Sequence, residues 1–395
     1  MNLSEKASKI APSMTLEITA KANQMKSRGI DVIGFGAGEP DFQTPDYIKK
    51  AAIEAIDKGF TKYTPASGIF ELKEAISEKL KKDNNLLYDP SQIVISNGAK
   101  HSIYNALCAI LNPGDEVIIP SPYWLSYPEM VRLADGIPVF IDTDASNDFK
   151  ITEEQLEMAI NNKTKAIIIN SPNNPTGTVY SEMELKNIAN IAIKHNIFVI
   201  SDEIYEKLIY EGKHVSIASF NDDIKKLTIV INGMSKAYAM TGWRIGYSAS
   251  DRNIAKLIGN IQSHTTSNPN SIAQYASIKA LRSDNDIINS MVKEFDRRRN
   301  FMVERINKIK GLKCNKPQGA FYVMVNISNY IGVNIDGIII NGSIDFANFL
   351  LEKANVAVIP CLPFGVDNYI RLSYATSIEN IEKGLSRIDD VLNNI

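Results

Sequence analysis

Between Pro45 and about Leu281, apolar residues recur at helical spacing over Ile48–Ile56, Ile69–Leu80 and His101–Leu111. These stretches alternate with short runs rich in Val and Ile: Ile93–Ser96, Glu116–Pro120, Ile137–Ile141, Ala166–Asn170, Phe198–Ser201 and Leu227–Ile231. Many of the runs are apolar throughout, as strands covered on both faces are. The alternation predicts an α/β fold with a mostly parallel sheet between helices. Asn112-Pro113-Gly114-Asp115 marks one joint, because proline lacks an amide hydrogen and glycine accepts positive φ. Beyond Leu281 a charged helical pattern runs through Arg299 to Lys310, and the remainder mixes helix and strand as a smaller α+β domain would. The opening stretch, with Gly34, Gly36, Gly38 and Pro40, is expected to join that smaller domain or a neighbouring subunit. The expected division is an N-terminal arm with part of the small domain at 1–46, a large domain at 47–285 and a small C-terminal domain at 286–395.

The 395 residues are 44% hydrophobic and 22% charged, enough for one large core and a second domain. Lys and Arg number 43 against 45 Asp and Glu, a formal charge of -2, so neither nucleic acid nor another polyanion is an expected partner. The densest basic cluster, Arg297-Arg298-Arg299, follows Glu294 and Asp296 and reads as a solvated helix face. Cys108, Cys314 and Cys361 are far apart and without C-x-x-C spacing, which argues against a disulfide framework or a metal site and for small buried apolar roles. Nowhere do 18 apolar residues run together, so no membrane partner and a cytoplasmic location are expected.

Ligands of open α/β sheets collect beyond the carboxyl ends of the strands, which directs attention to the residues after each apolar run. One run leads into Gly233-Met234-Ser235-Lys236. A lysine just after a buried strand loses proton affinity, as a Schiff-base lysine requires, although a structural lysine or a serine-lysine acyl-transfer pair fits the same string. Another run closes on Asp202-Glu203-Ile204-Tyr205. A carboxylate there suits a pyridine cofactor, whose ring nitrogen must stay protonated to draw electrons. At ~4 Å and an effective dielectric near 20 such a pair attracts by about 4 kcal/mol. A third run leads into Asn170-Ser171-Pro172-Asn173-Asn174-Pro175, where Asn174, with Tyr205, could donate to an anionic ring oxygen.

Together these strings resemble the class I, fold-type I, pyridoxal-phosphate-dependent aminotransferases, and most closely the bacterial aspartate aminotransferase group. Further strings carry the likeness: Gly36-Ala37-Gly38-Glu39-Pro40-Asp41-Phe42, Lys62-Tyr63-Thr64-Pro65, Asn97-Gly98-Ala99-Lys100, Pro122-Tyr123-Trp124-Leu125-Ser126-Tyr127-Pro128, Lys236 to Gly246, and Ile370-Arg371-Leu372-Ser373-Tyr374. The likeness implies a seven-stranded, mostly parallel sheet in the large domain and a homodimer with shared active sites. It makes Lys236 the Schiff-base lysine and proton shuttle, Asp202 the partner of the pyridinium nitrogen, and Tyr205 and Asn174 the contacts of the ring oxygen. Trp124 would lie against the cofactor face. Gly98, Ala99, Lys100, Ser235 and Arg244 would hold the phosphate, joined by Tyr63 from the other subunit. Gly38, Trp124, Asn174 and Arg371 would meet the substrate, Arg371 through its α-carboxylate. Lys100, with hydroxyls at Ser13 or Thr15, would take the distal carboxylate.

The implied reaction passes the amino group of L-aspartate to 2-oxoglutarate, giving oxaloacetate and L-glutamate. Alternatives within the family are aromatic, alanine, branched-chain or prephenate specificity and, more remotely, a β-lyase. Relatives that accept prephenate carry a lysine where this chain has Ala11, which weakens that option. A non-catalytic aminotransferase-like ligand-binding protein is the other class to consider, opposed by the full set of site residues. A nicotinamide dehydrogenase is not supported, because Pro40 and Asp41 interrupt any G-x-G-x-x-G opening a helix.

Overall fold

The computed structural model describes residues 3–393 other than 9, 13, 285 and 336. Its centre is a seven-stranded sheet of β1 (Ile93–Ser96), β2 (Glu116–Ser121), β3 (Ile137–Asp142), β4 (Thr164–Asn170), β5 (Phe198–Asp202), β6 (Thr228–Gly233) and β7 (Gly246–Ala249). The order across the sheet is β1-β7-β6-β5-β4-β2-β3. Six strands run one way, and β7 runs antiparallel to both its neighbours.

Period-two alternation sorts the strand side chains onto two faces. Val94, Val117, Ile119, Ile168, Ile200, Ile229 and Ile231 pack on one face, under helices Ala99–Ile110, Ser126–Leu133 and Arg252–Thr265. On the other, Ile118, Ile167, Ile169 and Val199 meet helix Glu182–His195, while Ile93, Ile95 and Val230 meet helices Asp46–Asp57, Phe70–Asn84 and Ser271–Arg282. Burial on both faces is why these strands read as continuous apolar runs. Leu227, expected to open β6, instead ends helix Asp222–Leu227, whose Asn221 cap accepts from the amides of Asp223 and Ile224. The seventh strand, Gly-Tyr-Ser-Ala, is too short and small to stand out as an apolar run.

A second body forms around an antiparallel sheet in which Tyr369–Ser373 lies between Ile359–Pro360 and Tyr322–Asn326. Helices Asp286–Ile306, Ser343–Lys353 and Ile378–Asn393 pack on its core. Ile33–Gly34 pairs in parallel with Val356–Ala357, so the opening segment is tied to this body. Helix Met14–Ser27 lies beside it, Ala22 packing with Leu351 and Ala357.

The basic cluster expected on a solvated face divides. Three consecutive helical residues span roughly 200° and cannot all face water. Arg297 is exposed, whereas Arg298 and Arg299 are buried. The Arg298 guanidinium grips both oxygens of Asp41 at 2.8 and 2.9 Å, and Arg299 donates to Pro317 O and pairs with Glu211 and Asp296. The cysteines are free; Cys361 is buried, while Cys108 and Cys314 are only half-buried. No described helix is long and apolar enough to cross a membrane.

Candidate active site

The parallel strands finish at one edge of the sheet, where Asn170, Asp202 and Ile231 stand in register on β4, β5 and β6. Because β7 is reversed, it begins at that same edge, with Gly246 opposite both Ser96 and Gly233. The topology therefore gathers Gly98–Lys100 after β1, Asn174 after β4, Asp202 and Tyr205 from β5, Lys236 after β6 and Arg244 before β7. A cleft of about 720 Å³ opens there and is closed from the other side by Gly36–Glu39, helix Met14–Ser27 and Arg371 of the second body.

Lys236 projects into this cleft, where its ammonium donates to Gly38 O. Burial pushes its pKa down to about 8; Arg371 and Arg244 act in the same sense, and Glu39 and Asp202 oppose them. Asp202 is 3% exposed. Its Oδ2 accepts from Tyr127 Oη at 2.6 Å and its Oδ1 from the Ile204 amide at 3.2 Å. Burial lifts its carboxyl to about 6, moderated by those hydrogen bonds. Tyr205 is buried, its hydroxyl 2.9 Å from Tyr322 Oη, and burial drives its ionisation far above the usual tyrosine range.

A cradle for an anion lies beyond β1. Gly98 caps helix Ala99–Ile110 with φ of 89° and no side-chain cap; the His101 amide bonds to Gly98 O at 3.0 Å, which leaves the amides of Ala99 and Lys100 at the helix start. A Cβ on Gly98 would stand 2.4 Å from Arg244 Nη2, and one on Gly246 would stand 2.2 Å from the Ala99 nitrogen, so this approach requires glycine at both positions. Arg244 spends its visible bonds on two carbonyls, Thr241 O at 2.8 Å and Asn97 O at 3.2 Å, and pairs with no carboxylate among the described residues. Ser235 lines the cleft beside it.

Arg371 is 2% exposed and likewise forms no ion pair among the described residues. Its Nη1 donates to Asn174 Oδ1 at 2.9 Å and its Nη2 to Gly36 O at 3.2 Å, and its guanidinium lies 4.4 Å from the Tyr322 ring centroid. Its Nε is buried with no partner among the described residues. Asn174 is itself fixed through its amide to Asn170 Oδ1 at 2.8 Å. Gly38 borders the cleft, where an added Cβ would touch Tyr322 Oη at 3.7 Å.

Lys100 sits at the rim with its ammonium 4.9 Å from the Trp124 ring centroid; partial burial and the neighbouring Arg244 charge push its pKa below the usual lysine range. Thr15 lines the cleft with a buried hydroxyl that has no partner among the described residues, while Ser13 lies outside them. Ala11 is exposed and its amide faces Glu129 at 3.4 Å. Two predicted site residues do not line this cleft: Gly98, which lies behind Arg244, and Tyr63, which is 90% exposed.

The structure also supplies site residues that had no role on sequence grounds. Tyr127 holds Asp202, Tyr322 holds Tyr205 and stacks on Arg371, Asn170 fixes Asn174, and Glu39, accepting from Thr241 Oγ1 at 2.6 Å, places a carboxylate near Lys236. Tyr127 and Glu39 lie inside two of the resembling strings, but only the fold shows what they touch.

Lys236 and Asp202 at the sheet edge face Arg371 of the second body across the cleft, an arrangement suited to group transfer on an anionic molecule. Residues 30–388 match the model of the family described as aminotransferase class I and II, and the chain belongs to that family. It is 51% identical over 389 residues to an aspartate aminotransferase of Bacillus sp. (strain YM-2), covering 98% of each chain. It is 46% identical to an aspartate/prephenate aminotransferase of Nitrosomonas europaea, covering 99% of this chain and 100% of the other. Among solved structures, the Rhizobium meliloti aspartate aminotransferase superposes with a TM-score of 0.96 at 42% identity, over 100% of this chain and 99% of the other. An aspartate aminotransferase from Thermus thermophilus with maleate gives 0.94 at 40% identity, over 99% and 100%.

Proposed function

We propose that the chain is a pyridoxal-phosphate-dependent aspartate aminotransferase. The observation that carries this reading is the convergence of Lys100, Lys236, Arg244 and Arg371 on one cleft that also holds buried Asp202. These residues fit the cofactor: the uncapped helix and Arg244 suit its phosphate, Asp202 its ring nitrogen, and Tyr205 with Asn174 its ring oxygen. When bound, pyridoxal phosphate supplies an electron sink for the substrate Cα.

The side chains around it have distinct tasks. Asp202, held by Tyr127, would pair with the ring nitrogen and keep a proton there. Lys236, whose desolvated amine gives up its own proton easily, would take the Cα proton of the amino acid and later hand it back. Arg371 meets the α-carboxylate, its unpartnered Nε and planar fork suiting a two-point contact. Lys100 and the Thr15 hydroxyl serve the distal carboxylate, so that L-aspartate and 2-oxoglutarate exchange their amino group to give oxaloacetate and L-glutamate. The Thermus thermophilus relative was solved with maleate, a dicarboxylate, which supports a site for two carboxylates. Prephenate is the second reading, favoured by the name of the Nitrosomonas europaea relative and opposed by the uncharged, exposed Ala11.

The same reading includes a cytoplasmic homodimer with the division at 47 and 286. Tyr63, exposed on one chain, would reach the phosphate of the other, and Ile53, Ile56 and Phe60 nearby in sequence are exposed as well. The test follows the cofactor's visible absorption as aspartate, glutamate, alanine, phenylalanine and prephenate are added to the loaded protein. Aspartate and glutamate are expected to change it at the highest kcat/KM, and Lys236→Ala to abolish the response. A protein that stays colourless and inactive with added pyridoxal phosphate would overturn the reading.

A further inference from the structure

Behind the anion cradle lies a buried glutamine whose hydrogen-bonding capacity is fully used. Gln262, on helix Arg252–Thr265, is 0% exposed. Its Oε1 accepts from Ser96 Oγ at 2.6 Å and from Asn105 Nδ2 at 3.1 Å. Its Nε2 donates to Ala66 O at 2.6 Å and to Ile95 O at 2.7 Å. Two acceptor directions and two N–H donors are all a carboxamide offers, and among side chains of this length only glutamine carries that set.

The partners belong to two separate pieces of machinery. Ser96 ends β1, its carbonyl accepts from the Gly98 amide at 2.8 Å, and Asn105 lies on the helix that starts at Ala99. These groups frame the cradle. Ala66 lies three residues after Tyr63, on a segment pinned to β1 by the Ile95 amide bonded to Ser67 O at 3.0 Å. Gly68 is pressed so closely on Ile95 that a Cβ would fall 2.4 Å from its Cδ1. A second buried glutamine, Gln274, steadies the segment by donating to Thr64 Oγ1 at 3.2 Å and accepting from the Ile69 amide at 2.9 Å.

We propose that Gln262 is a positioning residue that ties the phosphate cradle of its own subunit to the segment presenting Tyr63, so that one buried amide sets two phosphate-binding elements at once. The inference rests on the reading above, in which Tyr63 serves the phosphate of the partner. Replacing Gln262 by leucine keeps the volume but leaves a hydroxyl, an amide and two carbonyls unsatisfied in the interior. Both ends must then move to find partners.

The test is an equilibrium titration of the apo dimer with pyridoxal phosphate, comparing the wild type, Gln262→Leu, Tyr63→Phe and the double variant, with folding checked by circular dichroism. Gln262→Leu is expected to raise the Kd about tenfold or more while kcat for aspartate at saturating cofactor stays within about threefold. The double variant should weaken binding by less than the product of the single effects, because the phenol it removes is already displaced. An unchanged Kd in Gln262→Leu, or effects that simply multiply, would overturn the proposal. If Gln262→Leu does not fold, Ser96→Ala takes its place, with about a threefold weakening expected and an unchanged Kd contradicting it. A wild type that binds no pyridoxal phosphate would instead overturn the functional reading beneath it.

Discussion

The two ends of the cleft are built differently. At the sheet edge, Asp202, Tyr205 and Asn174 are buried, and each is held by a buried neighbour: Tyr127 on helix Ser126–Leu133, Tyr322 on the second body and Asn170 at the end of β4. At the rim, Thr15 comes from helix Met14–Ser27 across the cleft and Lys100, although it follows β1 at the same edge, stands exposed. The first end has side chains fixed before any ligand arrives, which is how electrostatic groups act at least reorganisation cost. The second has a flexible ammonium and a hydroxyl, which select a ligand without setting its chemistry. Chemistry common to many amino acids thus lies in the rigid part, and preference among them in the adaptable part.

If that division holds, substitutions at the two ends must differ in kind as well as size. The largest expected effect is at the sheet edge: Asp202→Asn removes the charge facing the ring nitrogen and should lower kcat about 10³-fold for every amino-acid substrate, measured by single-turnover absorbance. Equal kcat in the variant would show that the buried carboxylate is structural. Next is Arg371→Lys, which replaces a fork by a point charge; kcat/KM should fall roughly 10- to 100-fold, by the same factor for aspartate and alanine. A loss confined to aspartate would place Arg371 at the distal carboxylate instead.

Lys100→Ala should be smaller and selective, lowering kcat/KM for aspartate about tenfold while leaving alanine nearly unchanged. Equal losses for both would assign Lys100 to the phosphate or the Trp124 face alone. The smallest effect concerns stability. The folded chain lowers the pKa of Lys236 from 10.5 to about 8, so between those values the unfolded chain binds more protons and stability rises with pH. Below about 8 the full cost of charging the buried amine is present. Lys236→Met should therefore raise the Tm of the apoenzyme at pH 7 by roughly 1–3 °C, with the advantage fading toward pH 10.5. A variant less stable than the wild type at pH 7 would mean that the ammonium is well solvated or well paired in the fold.

The same contrast explains what could be read from the sequence. Five strands were visible because both faces of each are covered, edge strand β3 because it is apolar although Ile137 and Phe140 are exposed, and the residues after the strands because Lys236, Asp202 and Asn174 are unusual neighbours for apolar runs. The seventh strand escaped because Gly-Tyr-Ser-Ala carries little apolar pattern, yet its reversed direction brings Arg244 to the site edge. Tyr127 and Tyr322 were not assigned roles, since a tyrosine's partner is fixed by packing between segments far apart in sequence. Arg298 and Arg299 were misjudged for the same reason: Asp41, Glu211 and Pro317 O, which neutralise or satisfy them, lie far away along the chain.

The central claim is that Lys236 holds pyridoxal phosphate in this cleft. The most direct measurement is borohydride reduction of the protein saturated with pyridoxal phosphate, followed by digestion and mass spectrometry of the modified peptides. A single pyridoxyl group on Lys236, prevented by omitting the cofactor, is the predicted result. Modification spread over surface lysines, with Lys236 unmodified, would contradict it.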